Sequence, residues 1–244
     1  VKVLVTGAAG FIGRHVSAKL VEAGHEVLGM DVALQPVKGY WHMWCIADIT
    51  KPLDPIPDLD AVVHLAAVAA PRECDANPTR AFDVNVNGTL QVLNMALKSG
   101  AKKVVFSSSA HVYDIPPRYY PTDETHPLRL NNTYTTSKIL GEQLCELFWQ
   151  NHGLAFTTLR LFNAYGPGQG AGYFIPDQIA KAKVGSWALQ GSNVTKDWVF
   201  IDDVADAFVK AVESVFVGPI NIGTGVETNL ESIARVIASA YGVS

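Results

Sequence analysis

The sequence predicts an α/β fold built on a doubly wound parallel sheet. Three observations support this. An apolar run of strand type, Val1 to Val5, ends at Thr6; glycines follow at Gly7, Gly10 and Gly13, and then a helical pattern carries Val16, Leu20 and Val21. Strand-like and helix-like segments alternate from there onward. The second strand, Glu26 to Met30, ends in an acidic residue, Asp31, about 20 residues past the glycines.

Strand, glycine turn and helix together aim backbone N–H groups and a helix N-terminus at a diphosphate. The glycines allow a tight turn, close approach of backbone to phosphate, and close helix–strand packing. Asp31 is placed to accept hydrogen bonds from ribose hydroxyls and would repel a 2′-phosphate. No Arg or Lys follows until Lys38. The expected cofactor is NAD rather than NADP.

The 244 residues suffice for a sizeable core, in one large or two unequal domains. With 19 basic against 23 acidic residues and no basic tract, nucleic acid is not the main partner. No apolar run is long enough to cross a bilayer; the richest, Ala61 to Pro71, is short and contains His64. The first strand begins at once, with no signal-peptide pattern. Cys45, Cys74 and Cys145 are widely spaced and form no zinc motif, so no metal is expected. They read as small buried or half-buried thiols in a reducing, cytoplasmic setting.

The third strand is expected at Met43 to Ala47, followed by Asp48 and Ile49. A proline-rich connection (51–60) leads to a fourth strand, Ala61 to Leu65. Ala66 and Ala67 are small where that strand would pass under the cofactor. His64, in an apolar strand, is expected to be a satisfied core histidine. A helical region runs from about Asn77 to Ser99. A buried Asn must find partners, so Asn85 is expected to hold backbone or water near the site.

The fifth strand, Lys103 to Phe106, runs into Ser107, Ser108 and Ser109. Ligands of open parallel sheets gather at the carboxyl ends of strands, so these hydroxyls are candidates for binding a substrate oxygen. A turn-rich loop follows, then a helix from about Asn131 to Asn151. Tyr134 and Lys138 lie four apart and share a helix face. A phenol is a poor base at neutral pH. A nearby ammonium, and the positive charge of an oxidised nicotinamide, favour the phenolate. Tyr134 can then take a hydroxyl proton and return it.

Read together, these segments resemble the extended short-chain dehydrogenase/reductase family of NAD-dependent sugar-nucleotide epimerases and dehydratases. The matching motifs are Thr6 to Gly13, Asp48-Ile49, His64 to Ala67, Asn85 to Thr89, Ser107 to Tyr113, Tyr134 to Lys138, Leu159 to Pro167, Asp197 to Asp206 and Asn221 to Gly225. The resemblance implies a Rossmann domain over 1–165, to which 193–225 returns. It implies a smaller substrate-binding part from 166–192 and 226–244, continued beyond the last helix in family chains. It assigns Ser109, Tyr134 and Lys138 to catalysis. Cofactor binding falls to Gly7, Gly10, Phe11, Ile12, Gly13, Asp31, Asp48, Ile49, Leu65, Ala66, Ala67, Asn85, Ser107 and Leu161, with Tyr134 and Lys138. Substrate binding falls to Arg72, Asn163, Leu189 and Lys196, with Ser109 and Tyr134. A homodimer is implied through the helices over 77–99 and 136–151, where Ile139, Leu140, Leu144, Leu147 and Phe148 are compatible with an interface or with packing on the sheet.

Within the family, 4,6-dehydratases carry an acidic pair directly after the strand-five Ser/Thr. Here those positions are Ala110 and His111, and only His111 can shuttle a proton. The Ser-Ser-Ser-Ala-x-Val-Tyr pattern resembles UDP-galactose 4-epimerases, which need only a reversible oxidation at C4. The implied substrate is a UDP-sugar. Lys196 stands where many members carry a diphosphate-clamping arginine, so the bidentate fork is lost and the charge kept. Two alternatives stand beside the 4-epimerase: a nucleotide-sugar dehydratase or 4-keto reductase, and a non-catalytic NAD-binding scaffold.

Overall fold

The computed structural model describes residues 1–34, 36, 39–186 and 193–243. Its centre is a seven-stranded parallel sheet. The strands are β1 (Lys2–Thr6), β2 (Glu26–Asp31), β3 (Met43–Ile46), β4 (Ala61–His64), β5 (Lys103–Ser109), β6 (Ala155–Leu161) and β9 (Gly218–Ile222), in the order 3-2-1-4-5-6-9. The order reverses between β1 and β4, which opens a crevice at their carboxyl ends.

Both faces of the sheet are covered, so its strands are apolar throughout rather than alternating. Val3, Val5, Val63 and Val105 face α1 (Phe11–Glu22) and α7 (Ile201–Glu213), where Val16, Leu20, Val204 and Phe208 close one core. Leu4, Val62, Val104 and Phe106 face α4 (Gly88–Lys98) and α5 (Thr133–His152), where Val92, Leu93, Ala96 and Phe148 close the other. Phe208 is fully buried. Phe208→Ala is expected to lower the unfolding free energy by about 3–5 kcal/mol, read from urea denaturation.

A second sheet of three strands joins β7 (Asn163–Tyr165), β8 (Thr195–Phe200) and β10 (Glu227–Asn229) in the order 10-8-7. The helices α6 (Phe174–Lys183) and α8 (Leu230–Ala240) pack on each other beside it. The chain therefore rejoins the large sheet later than the expected residue 193. β8 pairs with β7 and β10, and only α7 and β9 return.

The helical region expected from Asn77 to Ser99 begins earlier and is broken. It comprises α2 (Pro71–Ala76), α3 (Pro78–Phe82), a wide turn of π type (Asp83–Asn87) and α4. Pro78 cannot donate to a preceding turn, and the Asn77 side chain caps the restart by accepting from the Arg80 N–H. The π turn adds one residue to the helical spiral and turns Asn85 inward. β5 is longer than expected, because all three serines lie within it and pair with β6. Cys74 and Cys145 are buried as expected, but Cys45 is exposed because β3 is the outer strand of the sheet.

No helix among the described residues is long and apolar enough to cross a membrane. Of the five apolar residues named on α5, Ile139 and Phe148 are buried within this chain, whereas Leu147 is exposed together with Trp149.

Candidate active site

The crevice at the head of β1 and β4 is shaped by small residues. Gly7 has φ +68°, and a Cβ there would lie 2.7 Å from the Ala66 nitrogen. A Cβ on Gly13 would lie 2.2 Å from the Gly7 carbonyl oxygen. Helix α1 starts after Gly10 with no side-chain cap, so the N–H groups of its first turn, including Phe11 and Ile12, are left for an anionic oxygen. Asp31 is held from two sides: one carboxylate oxygen accepts from Ala9 N at 3.0 Å, the other from Ala33 N at 3.1 Å. A carboxylate has further lone pairs, so Asp31 is fixed yet still able to accept from a ribose. A dinucleotide fits this uncapped, Cβ-free cradle.

His64 is a core histidine. Its Nδ1 lies 2.7 Å from Thr6 Oγ1 and its Nε2 2.9 Å from Thr89 Oγ1. Thr89 spends its own proton on the Asn85 carbonyl, and Thr6 Oγ1 accepts from Leu65 N and Ala66 N. The network thus assigns the ring proton to Nε2, and the Thr6 hydroxyl donates to Nδ1. Burial, then the Lys138 charge, push His64 down to about 3. The unfolded chain, with an ordinary histidine value near 6.5, therefore binds the extra proton between these limits. Stability should fall as pH drops from about 6.5 toward 3, at up to about 1.4 kcal/mol per pH unit from this group. Urea midpoints across that range should fall less steeply in His64→Gln.

Asn85 holds the backbone of the loop after β4. Its Oδ1 accepts from Val68 N, and its Nδ2 donates to Val68 O and Ser137 Oγ. It clamps the loop carrying Leu65, Ala66 and Ala67 onto α5, in keeping with the expectation that it holds backbone near the site. Ile49 is buried against Gly88, and Leu161 packs into the core. Asp48 is exposed, with one carboxylate oxygen on Thr50 N.

At the end of β5 the structure brings Ser107, Ser109, Tyr134 and Lys138 together. Lys138 Nζ donates to the Ser107 carbonyl at 2.8 Å, lies 5.8 Å from the Tyr134 ring centroid and 5.2 Å from that of Phe106. Burial brings Lys138 down to about 8. Burial also pushes Tyr134 up to about 12, and a hydrogen bond with Ser109 offsets only part of this. In the protein alone burial sets the direction of the Tyr134 shift, opposite to the lowering expected from Lys138.

Ser109 Oγ accepts the His111 backbone N–H at 3.2 Å and lies 3.0 Å from His111 Nδ1. The His111 ring stands edge-on to Tyr134 at 6.4 Å between centroids. Burial, then the Lys196 charge, lower His111. Lys196 and Asn163 lie on adjacent strands of the small sheet, and Asn163 Nδ2 donates to the Asp197 carbonyl. Arg72 is exposed on α2. Leu189 lies outside the described residues. No group of three metal-ligating side chains occurs among the described residues.

A buried network escaped sequence reasoning. Arg160 on β6 meets the Glu142 carboxylate through Nε at 3.1 Å and Nη2 at 2.7 Å. Its Nη1 donates to Tyr113 Oη and to the Glu124 carbonyl. Tyr113 donates to Asn221 Oδ1 at the end of β9. An arginine in an otherwise apolar strand, Leu159 to Phe162, was the available signal.

Residues 3–223 match the family described as NAD dependent epimerase/dehydratase. The chain belongs to this family, and NAD is its cofactor. It is 34% identical over 254 residues to a putative UDP-glucose 4-epimerase of Methanocaldococcus jannaschii, covering 98% of this chain and 82% of the relative. It is 29% identical to UDP-glucuronic acid decarboxylase 5 of Arabidopsis thaliana, covering 97% and 73%. The structure of a Thermotoga maritima UDP-glucose 4-epimerase with UDP-glucose superposes with a TM-score of 0.91 at 29% identity, covering all of this chain and 84% of the other.

Proposed function

We propose that the protein is a UDP-hexose 4-epimerase that oxidises the sugar transiently at C4 and reduces it again on the other face. The observation that carries this reading is the end of β5. Ser109, Tyr134 and Lys138 converge there, and the residues that follow, Ala110 and His111, bring no carboxylic acid to remove a second proton. Similarity to UDP-glucose 4-epimerases supports it.

In this reading the uncapped first turn of α1, with Gly7, Gly10, Phe11, Ile12 and Gly13, holds the NAD diphosphate, and Asp31 holds a ribose. Bound NAD supplies a reversible two-electron acceptor for the C4–H bond. Ser109 and Tyr134 bind the C4 oxygen. Tyr134 takes its proton on oxidation and returns it on reduction. Lys138 holds the nicotinamide ribose and adds positive charge beside the phenolate. Lys196 sets one positive charge against the substrate diphosphate, and Asn163 and Arg72 flank the sugar-nucleotide. Lys196→Ala should raise KM for the UDP-sugar about tenfold and change kcat less, as steady-state kinetics would show. Exposed Leu147 and Trp149 on α5 support pairing of two copies across that helix.

Decarboxylation of a UDP-uronate is the second reading, favoured by the Arabidopsis relative, and it begins with the same C4 oxidation. The test is incubation with UDP-glucose, UDP-galactose, their N-acetyl counterparts and UDP-glucuronate separately, read by NMR and mass. Inversion at C4 without mass change supports the epimerase. Loss of water or carbon dioxide overturns it, as does absence of turnover with NAD supplied.

A further inference from the structure

We propose that His15 is a positioning residue that ties the glycine-rich loop after β7 against the first turn of α1 and so slows the release of NAD. This rests on the reading that this turn holds the NAD diphosphate. His15 lies four residues after Phe11 on α1, and its ring stands edge-on to that of Phe11 at 5.7 Å between centroids. Its Nε2 lies 3.0 Å from the Pro167 carbonyl oxygen. A carbonyl has no proton to give, so the ring carries one on Nε2 and donates it. Its Nδ1 lies 3.5 Å from the Asp202 carboxylate at the head of α7, an ion pair when the ring is protonated. Tyr165 and Phe200 are register partners at the ends of β7 and β8, and Pro167 and Asp202 each follow two residues later. One side chain of the cradle helix therefore meets both strands of the small sheet where they leave it.

The loop needs such a tie. Four of the seven residues from Gly166 to Gly172 are glycine, so its backbone has much freedom to lose on ordering. Two bonds hold it to its own neighbourhood: Gln169 Nε2 donates to the Ala164 carbonyl, and Gly172 N donates to Asp177 Oδ1. His15 supplies a bond across to α1. Pro167 and Gly168 line a cavity of about 270 Å³ together with Phe11, Arg14 and His15. Phe11 belongs to the turn whose N–H groups are left for an anionic oxygen, so the loop walls the cradle on this side. Asp202 is about half exposed, and an ion pair so solvated adds little. The bond to Pro167 therefore carries most of the effect.

The test is exchange of bound NAD. The protein is loaded with radiolabelled NAD, freed of excess and mixed with unlabelled NAD, and the label retained is followed on filters. His15→Phe should release label about three- to tenfold faster, the scale of one lost hydrogen bond. His15→Gln keeps an N–H donor for the Pro167 carbonyl and should restore most of the retention. Phe208→Ala weakens the core between α1 and α7 without touching the loop, so its release rate should match that of the unaltered protein. An unaltered rate in His15→Phe overturns the proposal, as does an equal rise in His15→Gln or in Phe208→Ala. Asp31→Ala tests the cradle separately. Faster release there beside an unaltered His15→Phe leaves the cradle standing and overturns the proposal alone, whereas unaltered release in both removes the cradle reading with it. The exchange needs no sugar substrate, so it is decisive whatever the epimerase assay gives.

Discussion

Tyr134→Phe should lower kcat for C4 epimerisation by about 10²–10⁴-fold and leave KM within a few-fold, because one hydroxyl is lost while the ring keeps its packing against Val68, Cys74 and Ala81. Steady-state kinetics on the preferred UDP-sugar decide this. Unchanged kcat would remove Tyr134 from the chemistry. The pH profile has a definite sign. The oxidation half-reaction needs the phenolate, and burial pushes Tyr134 up to about 12 in the protein alone. The rate should therefore rise with pH on its acid side, with a midpoint well below 12, because bound NAD and Lys138 set positive charge beside the oxygen. Lys138→Met removes one of these charges and should move that midpoint upward.

Glu142→Gln should cost about 3–5 kcal/mol of unfolding free energy, the largest stability effect expected of a polar substitution in this protein. Arg160 is 5% exposed and stays charged, and Glu142 supplies both oxygens of its fork. Without the carboxylate the guanidinium is buried with no counter-charge. Urea denaturation measures the loss. The paired change Glu142→Gln with Arg160→Met should recover much of it, since the orphaned charge is the main cost. A loss under about 1 kcal/mol in the single variant would show that water reaches the pair. The same network reaches Tyr113, Glu124 and Asn221, so the single variant should also loosen the connection between β5 and α5, which limited proteolysis would detect.

Much of the large sheet was legible because its signals are local. Apolar runs, glycine punctuation and the acidic tip at Asp31 each act over a few residues, and β1, β2, β4 and α1 lie where those signals put them. The Tyr134–Lys138 spacing is also local, since four residues on a helix share a face. What escaped depends on distant partners. Nothing near Asn85 says that Val68 and Ser137 will occupy its side chain. Nothing near Ile49 says that Gly88 will receive it. The placement of β8 in the small sheet follows from pairing with β7 and β10, segments far apart in the chain. The sign of the Tyr134 shift depends on burial, which the spacing to Lys138 does not report.

The small sheet also bears on biosynthesis. Its three strands come from before α6, from before α7 and from after β9, so it cannot close until nearly the whole described chain has been made. The glycine cradle, Asp31 and the β4 wall all emerge much earlier. Synthesised from the N-terminus, the nascent chain makes the residues of its glycine cradle first, and the small sheet is a late, long-range closure.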